Sequence, residues 1–122
     1  KPIIGWGAAA FPLLYFFEKN TYAGHAHNLI FELAISYGLP ITILLFVSIF
    51  LICILSFLKI FISESFIKTD FFERAWFASF FVLLCSQLVD IQYFDGRISI
   101  VFWILLAGLK EISIYNISQE KT

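Results

Sequence analysis

The chain is poor in charge. Of its 122 residues only 14% are Asp, Glu, Lys or Arg, the formal net charge is −1, and Lys and Arg are scattered singly. With no basic stripe to follow a phosphate backbone, nucleic acid is excluded as an expected partner. Methionine is absent, and the opening Lys1-Pro2 carries no signal-peptide pattern. The sequence is therefore read as the C-terminal piece of a larger polytopic protein, with N-terminal transmembrane helices missing from it. Only two cysteines occur, Cys53 and Cys85, each inside an apolar run with no CxxC or Cys/His spacing. They read as small hydrophobes, not as a redox or metal centre. Repeats and low-complexity tracts are absent too.

What is present is hydrophobic: 61% of residues are apolar, 16 are Phe, and the mean hydropathy is +0.91. Such values belong to membrane proteins. Leu39 to Leu58 contains no charged residue, and about 20 apolar residues carry a helix across a hydrocarbon core of roughly 30 Å. Pro40 suits the first turn of that helix, and Gly38 marks the break before it. Ala75 to Val89 and Ile98 to Leu109 are shorter uncharged runs. Aromatic anchors extend the first, and Arg97 and Lys110, able to snorkel, bound the second. The expected fold is all-α, a polytopic helical membrane protein fragment with two to three transmembrane helices at about 39–62, 75–93 and 97–115. The last two are joined by the turn Phe94 to Arg97, with a re-entrant hairpin as the rival arrangement.

Lys59, Lys68 and Arg74 flank the first inter-span connection, against Arg97 alone in the second. The positive-inside tendency then puts that connection and the C-terminal tail in the cytoplasm, and residues 1–38 and the Asp90 to Arg97 turn on the external side. Within residues 1–38, a short interfacial helix is expected from Pro12 and a second helix from about His27 to Tyr37. Asn28, Glu32 and Ser36 follow i, i+4, i+8 spacing there and form one polar stripe facing a wet cavity.

The segment GHAHN, Gly24 to Asn28, concentrates chemistry-bearing side chains in this apolar chain. An imidazole in the first turn of a helix faces the positive end of the dipole, which favours a neutral, basic ring. Free N–H groups of the same helix end can hold an anion. A second reading takes His25 and His27 as metal ligands. On a helix, positions i and i+2 point about 200° apart, so this needs an extended segment, and no third ligand lies at a recognisable spacing. A third takes both rings as interfacial residues, with Asn28 capping the helix.

HNLIFELAISYGLPI, His27 to Ile41, resembles the signature of the O-antigen ligase and O-antigen polymerase superfamily, in which His followed by Asn, Ser or Gln precedes a Gly after nine intervening residues. Here His27-Asn28 precedes Gly38 at that spacing. IIGWGAAAF, Ile3 to Phe11, resembles the glycine-containing segment upstream in the same proteins. Ile41 departs from the small residue or Tyr often found three positions after the motif glycine. The resemblance covers roughly residues 3 to 58.

The resemblance implies a multi-pass glycosyltransferase of the bacterial inner membrane with residues 1–38 in the periplasm. It would move a glycan from undecaprenyl-diphosphate to a hydroxyl on a lipid or saccharide acceptor, in O-antigen ligation or polysaccharide polymerisation. No cofactor is implied, and the transfer is metal-independent, with His27 as the catalytic base. Asn28, His25, Glu32, Asp90, Asp95 and Arg97 are the supporting candidates. An aspartate of the later turn can orient His27 or the acceptor, and Arg97 is the one external Arg available to a diphosphate. Equally, Asp95 and Arg97 around Gly96 can serve only to shape a turn. The alternatives are a transport-related member of the superfamily, bicarbonate transporter-like, and a non-catalytic membrane subunit. Polar residues within the spans are few, which disfavours a solute path through these helices alone.

Overall fold

Gly38 is where the chain must change direction, because a nine-residue helix ends and a longer one begins on the same residue. In a computed structural model describing residues 1–62 and 71–115, these are α2 (Leu29–Tyr37) and α3 (Leu39–Phe57). Before them lies α1 (Phe11–Lys19), with Pro12 in its first turn and Asn20 in the left-handed conformation closing its end. After them come α4 (Phe71–Val89) and α5 (Gly96–Tyr115), and α3 is prolonged by a π-helical turn, Leu58–Ile62. The described residues are all-helical, with no strand.

The α2–α3 corner is satisfied by the first residues of the chain. The Leu39 N–H donates to the Pro2 carbonyl (2.7 Å), while the Trp6 and Gly7 N–H groups donate to the carbonyls of Ile35 (2.8 Å) and Ser36 (3.0 Å). An orphan donor at the start of α3 and acceptors at the end of α2 thus find backbone partners in one strap. The strap lies so close that only glycines fit. Gly38 has φ +87°, and a Cβ there would stand 2.2 Å from the Ile3 carbonyl oxygen; Gly5 has φ +69°, and a Cβ there would stand 2.3 Å from that of Ser36.

The three long helices form a layer with α5 in contact with both others. Ser56 Oγ–H donates to the Leu109 carbonyl (2.9 Å), and the Lys59 ammonium donates to that of Ile112. The common offset of 53 residues makes α3 and α5 parallel. Against α4 the register runs backwards, with Trp76 Nε1–H on the Leu105 carbonyl (2.9 Å) and Phe80 against Phe102, so α4 is antiparallel to α5. Ile49, Phe80, Phe102, Leu106 and Leu109 form the buried cluster where the helices meet.

Two helices are long and apolar enough to cross a membrane, Leu39–Ile62 and Phe71–Val89, and only 17% and 11% of their apolar stretches are buried inside the protein. Their apolar side chains face outward. The hydroxyls among them are satisfied within their own helices: those of buried Thr42 and of exposed Ser48 and Ser79 donate to carbonyls one turn back, of Gly38, Leu44 and Ala75.

Element bounds differ from the sequence reading in three places. The helix expected at about 75–93 spans Phe71–Val89, because Phe71 and Phe72 join its first turn and the chain leaves the helix at Asp90. The helix expected from about His27 begins at Leu29, because Asn28 is its cap. Gly96, expected in a turn, opens α5. The connection around Lys68 and the tail, on which the orientation argument leans, fall largely in 63–70 and 116–122, outside the described residues.

Candidate active site

Three backbone events bring the chemistry-bearing residues together at one end of the layer. Asn28, extended at φ −153°, caps α2: its Oδ1 accepts from the N–H groups of Ile30 (2.9 Å) and Phe31 (3.3 Å). Its Nδ2 donates to the Leu88 carbonyl (2.7 Å), tying the start of α2 to the end of α4. Glu32, buried one turn into α2, accepts the Ala26 N–H on Oε2 (2.9 Å) and so pins the residue between the two histidines.

His27 sits just outside the helix with φ +52°, a left-handed conformation uncommon for a residue with a side chain. That kink sets its ring against Asp90, the first residue past α4, with His27 Nδ1 and Asp90 Oδ1 3.0 Å apart. An ionised carboxylate only accepts, so the proton belongs on Nδ1 and the lone pair on Nε2. Both side chains are exposed. The hydrogen bond from His27 holds the Asp90 carboxyl below the usual carboxylate range, assisted by the Ile91 N–H against some desolvation. The His25 ring lies edge-on to His27 with centroids 4.4 Å apart, and its Nδ1 is buried without a hydrogen-bond partner.

The remaining sequence candidates fall elsewhere. Asp95 Oδ1 accepts the Arg97 N–H (2.9 Å) and its carbonyl accepts the Ser99 N–H, so Asp95 caps α5. Arg97 is exposed, and among the described residues no hydrogen bond or ion pair joins its guanidinium to His27 or Asp90. The anion-binding helix start expected at α2 differs too, since its second and third N–H groups are taken by Asn28.

Glu32 and Ser36 of the polar stripe line a 300 Å³ cavity with Thr42, Tyr93 and Trp103. On another face, an apolar groove of 510 Å³ runs between α3 and α4 from Phe57 and Phe77 up to Ile30 and Leu88, beside the Asn28 tie. The Leu88 carbonyl and the Ala26 N–H, which fix the site, left no trace in the sequence because they are main-chain groups. Gln87 is also buried and shapes the same end, its Oε1 accepting the Gln92 N–H (3.0 Å); a lone Gln in an apolar run was the available signal.

Compared with family models, curated proteins and solved structures, the chain matches none of them.

Proposed function

We propose that the chain spans a membrane through α3 and α4, with α5 beside them, and belongs to a glycosyltransferase of the O-antigen ligase and polymerase kind. The observation that carries the reading is the contact between His27 Nδ1 and Asp90 Oδ1. An aspartate on Nδ1 fixes the tautomer, aims Nε2 outward and stabilises the imidazolium that forms when the ring accepts a proton. The outward apolar faces of α3 and α4 ask for lipid around them, and the exposed pair then sits at the membrane edge, where a lipid-linked donor and a soluble acceptor group meet.

In this mechanism His27 Nε2 takes the proton of the acceptor hydroxyl as its oxygen forms a bond to the anomeric carbon of the glycan. The bond from that carbon to the diphosphate breaks, and undecaprenyl diphosphate leaves with the electron pair. A base so placed contributes about 10²–10⁴ in rate, or about 3–5 kcal/mol of barrier. The groove between α3 and α4 offers the prenyl chain an apolar bed that reaches Ile30 and Leu88, next to the Asn28 tie. Transport gains less support, since the hydroxyls of Thr42, Ser48 and Ser79 are bonded to their own helices.

The test is glycan transfer from undecaprenyl-diphosphate in native membranes at equal protein abundance. His27→Ala is expected to abolish transfer, and Asp90→Asn to lower the rate by about 10²-fold or more while leaving acceptor KM nearly unchanged. Normal transfer by His27→Ala would remove the base and with it this reading.

A further inference from the structure

The His25–Ala26–His27 loop and the end of α4 assemble three potential ligand atoms, one each from His25, His27 and Asp90, all within 4.8 Å of one another. On a tetrahedral zinc ion, ligand atoms stand about 3.3 Å apart, so the set has at most about 1.5 Å to close. His27 Nδ1 and Asp90 Oδ1 are already 3.0 Å apart. A helix would have thrown the two imidazoles to opposite sides. The left-handed turn at His27 brings their centroids to 4.4 Å instead, and a strained backbone held beside chemistry-bearing groups is a mark of a built site.

Two further observations point to a ligand. His25 Nδ1 is buried with nothing bonded to it, which costs free energy unless something occupies it. The scaffold is also braced on both sides: Glu32 holds the Ala26 N–H between the histidines, and Asn28 holds the Leu88 carbonyl two residues before Asp90. His27 and Asp90 are exposed, so an ion has an entry path, and the rest of its coordination shell stays open to water.

We infer that His25, His27 and Asp90 form a binding site for a divalent cation of the zinc class. Two imidazoles and a single carboxylate favour zinc or its first-row neighbours over magnesium or calcium, which demand a shell of oxygens. A lone pair given to the metal is not available to a hydroxyl proton, so on the transferase reading above a metal-loaded site and an active base exclude each other. Metal uptake itself does not depend on that reading, because it is measured with no glycan present.

The experiment titrates Co²⁺ into the metal-free protein in lipid nanodiscs, with any histidine tag removed, following the visible d–d absorption of a low-coordinate site and its displacement by Zn²⁺. One Co²⁺ per chain is expected. His25→Ala and Asp90→Asn are each expected to weaken uptake at least about tenfold, since even partners outside the coordination shell cost 10–100-fold. Helical circular dichroism reports whether His25→Ala still folds, and the near-isosteric Asp90→Asn decides if it does not. No uptake by the unmodified protein, or unchanged uptake in the folded variants, overturns the site.

Discussion

At the residue scale, the site hangs on what each polar group does besides chemistry. Asn28 spends its oxygen on α2 and its nitrogen on α4, so a single side chain both starts a helix and docks it. Asp90 draws its depressed carboxyl pKa from His27, which gives the His27–Asp90 contact a definite pH window. A carboxyl whose folded value lies below its unfolded one contributes stability above the unfolded value, near 3.9, and loses it as pH falls through the folded value. Once corrected for intrinsic rates, hydrogen exchange of residues 22–28 is therefore expected to accelerate as pH falls below about 4. Asp90→Ala should show fast exchange throughout, without that acid step. An acid step retained in Asp90→Ala would assign the loop's anchoring to another group.

At the element scale, the strap of residues 1–7 and the α2–α3 corner form one unit, because each supplies hydrogen-bond partners that the other lacks. Gly38→Ala meets both a left-handed φ and the Ile3 carbonyl. It is expected to destabilise by about 1–3 kcal/mol and to speed chymotryptic cleavage after Trp6, whereas Gly24→Ala, which meets nothing within 4 Å, should leave both unchanged. Equal behaviour of the two variants, by thermal unfolding in detergent, would mean the strap does not bear on the corner. This element also shows how far periodicity reaches. Pro12, Pro40 and the uncharged run from Leu39 signalled helix starts correctly, since propensity and backbone chemistry act within a turn. The end of α4 at Val89 escaped, because Ile91 and Tyr93 look like a continuing apolar helix until the chain is needed at Asp90.

At the scale of the whole molecule, three helices in one layer leave most of the apolar surface of α3 and α4 outside. A surface of this kind needs lipid or further helices against it. Cys85 on α4 is exposed, and in native membranes it is expected to react with a lipid-soluble maleimide but not with a charged, membrane-impermeant one, by mass shift of the labelled chain. Rapid reaction with the impermeant reagent would take α4 out of the bilayer.

The helices and their apolar character were legible along the chain, because charge scarcity, proline position and uncharged run length act locally and need no knowledge of neighbours. The sequence also singled out His25, His27, Asn28 and Glu32, since polar groups in so apolar a chain stand out by contrast. Only the tertiary structure chose Asp90 over Asp95 as the partner of His27. The two aspartates have the same chemistry and lie five residues apart, but Asp95 is consumed as the cap of α5, while Asp90 stands where the Asn28–Leu88 tie brings α4 to the loop. Likewise, nothing local in the sequence announces the left-handed turn that faces His25 toward His27, and a contact across 63 residues has no periodicity through which a sequence can announce it.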